Sequence, residues 1–296
     1  MRPALSGAVL VAGDGGEASN GAIRLGELLA RRDRVNVHVL GIMRSLGFPI
    51  SAFANVDTEA LEAGRRAQLL DRLRRRVHQT VGRSVLFSLD AATGSPARLL
   101  AAAARERNSA CVLVGIADRD TPERAAGEDE VLQIASIAAV PVIAVPADRD
   151  RLPTHALVAL DFGDSSRRAA ATAMQLLAPN GTLTLMHVEP EADLRAFGHD
   201  GLAEIYENGV AALFANLAAE IEEASDASVE TILLKGDPVT ALPAAIDSAP
   251  YDLIACGTQG VSALDRNFAG SVSTALLRAS SATVLIAPPT SEEPAA

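Results

Sequence analysis

The chain reads as an α/β protein built twice. Strand-like runs of aliphatic and β-branched residues alternate with longer segments of helical period, which is the pattern of a parallel sheet covered by helices. The order of these runs in residues 1–150 recurs in residues 151–296, and glycine or aspartate closes corresponding strands in both halves. A length of 296 residues holds two domains of ordinary size, each with its own core.

In the first half, strands are expected at GAVLVAG (7–13), VNVHVLG (35–41), SVLFSLD (84–90), ACVLVG (110–115) and VPVIAV (140–145). The second half repeats them at HALVAL, TLTLMHV, SVETILLKG, YDLIACG and ATVLIAP. Helices are expected at 17–32, 59–82, 96–108 and 128–138, then at 165–178, 200–225, 238–248 and 270–280. Pro96 and Pro238 each follow a Gly-x pair, where a first-turn proline gives up no hydrogen bond.

Landmarks of the two halves keep a nearly constant separation. Asp14 to Asp161 is 147 residues and His38 to His187 is 149; Gly94 to Gly236, Gly115 to Gly257 and Pro146 to Pro288 are each 142. On these pairs the first half carries seven extra residues between its second and third strands, a loop difference such folds tolerate. The charged, proline-containing ADRDRLPTHA joins the copies and sets the boundary near Arg151.

Composition narrows the function. Hydrophobic residues at 49% and charged residues at 21% suit a soluble α/β protein, and aromatics at 3% imply aliphatic cores. The net charge of −11 argues against nucleic acid, whose binders present a basic face. That charge is uneven: residues 1–150 carry 19 Arg and 18 acids, whereas 151–296 carry 6 Arg, one Lys and 19 acids. No apolar run approaches the roughly 20 residues of a membrane span, and MRPALSGAVLVAG lacks a cleavage site, so a cytoplasmic location is expected. Cys111 and Cys256 lie in apolar strand runs and read as reduced, buried thiols.

In an open parallel sheet, ligands bind beyond the carboxyl ends of strands at the point where the chain order reverses. The first strand of the second half ends at Asp161, and its fourth ends at Gly257, which opens GTQGVSALDRNFAGSVS. The spacing is G-x2-G-x9-G-S over Gly257, Gly260, Gly270 and Ser271. Glycines let the backbone approach a ligand, and a helix beginning at Gly270, Ser271 and Val272 offers free N–H groups to phosphate, with Ser271 and Ser273 adding hydroxyls. Asp161 stands ready for a base or ribose.

With LVALDFGDSSRRA, LMHVEP, LLKGDP, GTQG, GSVS and TVLIAP in place, nearly the whole chain resembles the universal stress protein family, in its ATP-binding branch and in tandem form. The resemblance implies two doubly wound domains, each a five-stranded parallel sheet ordered 3-2-1-4-5, with pairing through the final strand. It places nucleotide contacts on Ala159, Leu160, Asp161, Val188, Cys256, Gly257, Gly260, Gly270, Ser271, Val272 and Ser273. The first half keeps Asp14 and Gly115 but has Asp118, Glu128, Asp129 and Glu130 where the second has Gly260, Gly270, Ser271 and Val272. Its site is expected to be degenerate, with the acids at a helix start serving as that helix's own anion.

Smaller signals read as structural. His38 and His187 lack companion metal ligands, and the arginines from Arg65 to Arg76 read as a solvated face of a helix whose apolar stripe is Leu69, Leu73 and Val77. Arg266, inside the nine-residue spacer, reads equally as a phosphate contact or an outward side chain. No G-x-S-x-G elbow and no G-K-[ST] ending occurs, so no dedicated catalytic residue is expected. The expected function is a stress-response or regulatory module holding one adenine nucleotide per chain as ATP with Mg²⁺, and forming a homodimer with an unknown protein partner. Two other readings stay open: a slow ATPase or nucleotide-transfer enzyme, and a nucleotide-free partner-binding protein.

Overall fold

The computed structural model describes residues 3–44, 57–82, 87–119, 121–189, 200–258 and 270–290, with backbone alone at 200–204. It divides into a first unit, Leu5–Arg151, and a second formed mainly by Leu152–Ala296. In the first unit β1 (Ala8–Gly13), β2 (Val37–Met43), β3 (Phe87–Thr93), β4 (Ser109–Ile116) and β5 (Val142–Pro146) form a parallel sheet ordered β3-β2-β1-β4-β5. The connections are α1 (Asn20–Asp33), α2 (Thr58–Val81), α3 (Pro96–Glu106) and α4 (Pro122–Ile137). In the second unit β6 (His155–Leu160), β7 (Thr182–Glu189), β8 (Ser228–Lys235), β9 (Leu253–Gly257) and β10 (Thr283–Ala287) repeat the order as β8-β7-β6-β9-β10. Its helices are α5 (Asp164–Leu176), α6 (Asp200–Ala224), α7 (Pro238–Asp247) and α8 (Ser271–Ala279). Both units have the expected order, whose reversal lies between the first and fourth strands of each sheet.

The central strands are apolar on both faces because helices cover both. Val9, Leu10 and Val11 of β1 and Ala156, Leu157 and Val158 of β6 are fully buried. Helix starts follow local chemistry: Asp57 Oδ1 accepts the Ala60 amide at 3.0 Å to cap α2, and Pro96 and Pro238 take the first positions of α3 and α7. Of α2, the buried residues are Leu69, Leu73 and Val77, the expected stripe. In the second unit the Asp252 carboxylate accepts the amides of Thr154 at 3.0 Å and His155 at 2.9 Å, which fixes the start of β6 beside β9.

Register corrects the repeat. Leu10 pairs with His38, but Leu157, 147 residues further on, pairs with Thr184; His187 pairs with Leu160, whose counterpart Gly13 pairs with Gly41. The two histidines are therefore not equivalent, and the position of His187 is filled in the first unit by Gly41. The second strands are offset by 146 residues and the third by 142, since Val37 pairs with Phe87 and Leu183 with Val229. The first unit is longer there by four residues, not seven. The third strand also begins later than the expected 84, at Phe87, with 83–86 outside the described residues.

A larger correction concerns α4. It begins at Pro122 behind Thr121, whose hydroxyl oxygen accepts the Arg124 amide at 3.1 Å, rather than near 128. Glu128, Asp129 and Glu130 lie inside the helix, so they do not occupy its start.

Candidate functional site

The strand-to-helix turn after β6 is held by its own side chains. Asp161 Oδ1 accepts the Gly163 amide at 3.0 Å and the Ser166 hydroxyl at 2.6 Å, and this Asp-x-Gly-x-x-Ser arrangement starts α5. The first unit repeats it: Asp14 Oδ1 accepts the Gly16 amide at 2.7 Å, and Ser19 donates to the Gly16 carbonyl at 2.7 Å. Between aspartate and glycine the backbone turns left-handed in both, at Gly15 (φ +81°) and at Phe162 (φ +63°). A phenylalanine there is costly to the backbone.

An aromatic cluster holds it in place. The Phe162 ring lies 5.1 Å from that of His187 and 5.2 Å, edge to face, from that of Phe214. His187 Nδ1 stands 2.7 Å from the Leu160 carbonyl, which can only accept, so that nitrogen carries the proton; Nε2 faces the Tyr206 hydroxyl at 2.8 Å. In a chain with 7 Phe and 2 Tyr, three of the nine gather around this turn. The sequence reading missed this group, although Phe162 beside Asp161 was a visible signal.

Gly257 closes β9 against this turn. A Cβ on it would stand 2.4 Å from Ser165 Oγ and 2.9 Å from Ser165 Cβ, so α5 can start where it does only over a glycine. Gly115 plays the same part: its Cβ would stand 2.2 Å from the Ala18 carbonyl oxygen and 2.5 Å from Ser19 Cα. This explains why the first unit keeps that glycine while departing from the rest of the motif.

The last segment of the site is the start of α8. The Gly270 amide donates to the Thr258 carbonyl at 2.9 Å, and the Thr258 amide donates to the Ala287 carbonyl at 2.9 Å, which ties the helix start to the end of β9. Gly270 is the N-cap, without a side-chain cap, so the first-turn amides of α8 donate to no capping side chain. Ser271 is exposed, whereas Ser273 is fully buried and its hydroxyl donates to the Gly270 carbonyl at 2.8 Å, so that hydroxyl is engaged within the helix start. Ala159, Leu160, Val188 and Cys256 are buried at the strand ends beneath. Burial pushes the Cys256 thiol up to about 12, with the Asp161 charge adding to it, so it is a packed thiol and not a nucleophile. Gly260 and Arg266 lie outside the described residues. Among the described residues no cluster of His, Cys, Asp or Glu could hold a metal, and no helix is long and apolar enough to cross a membrane.

The first unit differs at the same places. Arg124 and Glu128, both buried, form an ion pair within α4, and Arg124 Nη1 also donates to the Ala117 carbonyl at 3.3 Å. By the offset of 142 shared by Gly115 with Gly257 and Val145 with Ala287, Glu128 stands where the second unit has the N-cap Gly270. The first unit's helix continues N-terminally through that position, and the buried Arg124 side chain ties its first turn to the end of β4 through the Ala117 carbonyl.

Comparison with known proteins agrees with this architecture. Residues 154–288 match the model of the universal stress protein family. A universal stress protein from Archaeoglobus fulgidus is similar over 95% of this chain and 98% of its own at 17% identity and a TM-score of 0.64. A functionally unknown protein from Pseudomonas aeruginosa is similar over 96% and 92% at 17% identity and a TM-score of 0.62. A universal stress protein in complex with cAMP is similar over 47% of this chain and 96% of its own, at 14% identity and a TM-score of 0.34. No curated protein matches the sequence.

Proposed function

Since the chain belongs, through residues 154–288, to the universal stress protein family, we propose that its second unit binds one adenine nucleotide, ATP with Mg²⁺, and that the chain acts as a nucleotide-dependent stress-response or regulatory module. The observation that carries this reading is the N-terminus of α8, left without a side-chain cap and fixed to the end of β9 through Gly270 and Thr258. Amides of Ser271, Val272 and Ser273 at the positive end of a helix dipole suit phosphate oxygens. Asp161, at the end of β6, is partly exposed and suits ribose or base donors, while Ala159, Leu160, Val188 and Cys256 form the apolar bed beneath. Gly257 and Gly260 complete the binding set.

The second half carries 7 basic and 19 acidic residues, so a bare triphosphate meets long-range repulsion. Mg²⁺ lowers that charge, held by phosphate oxygens and water with Asp161 the nearest carboxylate of the set. No group in the described site is placed as a general base near the start of α8, which favours binding and slow turnover over fast hydrolysis. The working form in this reading is a cytoplasmic homodimer, measurable by sedimentation at micromolar concentration.

The test is mass spectrometry of the purified chain under native and denaturing conditions, followed by calorimetry with ATP. One adenine nucleotide per chain is expected, with affinity weakened by excess chelator. A stoichiometry of two, or none in either experiment, defeats the reading.

A further inference from the structure

In the first unit, the carboxyl ends of β1 and β2 and the facing side of α2 flank a solvent-open cavity of about 550 Å³. Its apolar part is Ile42, Met43 and Leu69, and Asp14 closes one end. Arg65, Arg72 and Arg75 also line it, although α2 as a whole reads as a solvated basic helix. Spacings of seven and three residues, about two turns and one, bring these arginines to one side of the helix.

They are not the arginines that already have acids. Arg66 pairs with Asp90 at 2.7 Å, outside the cavity, and Arg74 pairs at 2.9 Å with Asp71 at its edge. Arg65 donates to the Arg44 carbonyl at 3.1 Å, which orients its guanidinium and leaves its charge uncompensated. Among the described residues none of Arg65, Arg72 and Arg75 is ion-paired with a carboxylate. The acids of the cavity are Asp71, paired with Arg74, and Asp14, whose Oδ1 accepts the Gly16 amide and which keeps its charge, so one uncompensated carboxylate stands against three arginines. Positive charge therefore prevails there.

The backbone brings the arginines this close. A Cβ on Gly15 would stand 2.9 Å from Arg72 Cβ, and one on Gly41 would stand 2.7 Å from Leu73 Cδ1 and 2.8 Å from Leu69 Cδ2. Glycine at both points lets α2 lie hard against the strand ends. At the position of Gly41 the second unit carries His187, and α6 has no Lys or Arg at all.

We propose that this cavity binds a compact phosphate-bearing metabolite, at a site separate from the nucleotide site of the second unit and using different chemistry. Guanidinium forks grip phosphate oxygens in pairs, which suits three arginines converging from one helix. The apolar floor accommodates the body of such a molecule, and Asp14 and the lining Gln68 can bond its hydroxyls. The volume falls in the range of about 300–1,000 Å³ usual for small-molecule sites. A long polyanion is disfavoured by the chain's net charge of −11.

The test is calorimetric titration of the full chain with inorganic pyrophosphate, carried out in the Gly270→Glu, Ser271→Asp variant so that the second unit contributes nothing. Saturable binding near one per chain is expected, weakening with salt. Replacing Arg72 and Arg75 together by Ala should weaken it at least about tenfold, because two charge-assisted contacts are lost. Lysine at both places keeps the charge without the fork and should fall between. Arg66→Ala, in the same helix but paired with Asp90 outside the cavity, should leave affinity unchanged. Absence of saturable binding, or an equal loss in Arg66→Ala, overturns the proposal, and neither result bears on whether the second unit holds ATP.

Discussion

The two units share the turn that starts their first helix and part company at the helix after their fourth strand. Asp14, Gly16 and Ser19 match Asp161, Gly163 and Ser166 bond for bond in the aspartate-to-amide contact, and Gly115 matches Gly257 in admitting that turn against the fourth strand. Yet α4 extends through the position where α8 begins, and it buries Arg124 against Glu128. The comparison separates two kinds of glycine in one motif. The glycine closing the fourth strand, Gly115 or Gly257, is required by packing in both units, whereas Gly270 opens a helix in one unit only.

The largest expected effect lies in that difference. Arg124→Ala would leave Glu128 buried without its partner, and breaking such a pair costs about 3–5 kcal/mol. Replacing both with apolar side chains of similar volume, Arg124→Met with Glu128→Leu, should be near neutral. Chemical denaturation of the two variants measures this. If Arg124→Ala proves as stable as the parent, the buried pair is not what holds the first turns of α4 in place.

Next in size is the charge test at α8. Gly270→Glu with Ser271→Asp places two carboxylates at the helix start proposed for phosphate and should weaken ATP binding by at least about a hundredfold, roughly 2.7 kcal/mol. The melting temperature should move little, because acids at a helix N-terminus favour the helix while the new Cβ at 270 sits only 3.2 Å from the Thr258 carbonyl oxygen. The pair does not reproduce the first unit, whose Glu128 is inside a helix. It asks only whether the start of α8 is where phosphate binds.

How much of this was legible differs by feature. The sheet order came through the resemblance and the apolar strand runs, because strands buried on both faces carry continuous aliphatic sequence. The α2 stripe of Leu69, Leu73 and Val77 was legible for the same reason. The start of α4 was also written in the chain, as Thr121 followed by Pro122, but the offset to Gly270 drew attention away from it. Register was not legible: His38 and His187 both close a V/M-H-V run, and only the ladder shows that Gly41, not His38, stands at the place of His187. Nor was the arginine cavity, since which face of α2 meets the strand ends depends on glycines 28 or more residues away in sequence.

The paired glycines give the third test. Gly115→Ala and Gly257→Ala should each destabilise by about 1–3 kcal/mol through overpacking. Gly115→Ala should be the worse, because its new methyl meets backbone atoms, the Ala18 carbonyl oxygen and Ser19 Cα, whereas that of Gly257 meets the Ser165 side chain first. The loss should appear in urea unfolding without any nucleotide. If Gly257→Ala lowers only ATP affinity and leaves unfolding unchanged, its role belongs to the ligand and the equivalence with Gly115 fails.

The smallest expected effect is a pH dependence confined to the first unit, since Thr184 replaces His38 at the equivalent register position. His38 is buried on β2, with Nδ1 2.6 Å from Ser88 Oγ and Nε2 buried without a partner. Burial lowers its pKa below 6.5, the nearby Arg107 lowers it further, and Asp90 opposes them. The unfolded chain therefore takes up this proton more readily than the folded one. The stability contributed by neutral His38 is fully present above about pH 6.5 and is lost as pH falls from there through the lower folded value. Asp90, held below the ordinary carboxylate range despite burial by hydrogen bonds from Arg66 and the Ala91 amide, adds its own loss only in more acid solution. Urea unfolding between pH 7.5 and 5.5 should show the decline, and His38→Gln should flatten it in that window, because an amide can still reach Ser88 but does not titrate. A decline that persists unchanged in His38→Gln would show that His38 is not the titrating group.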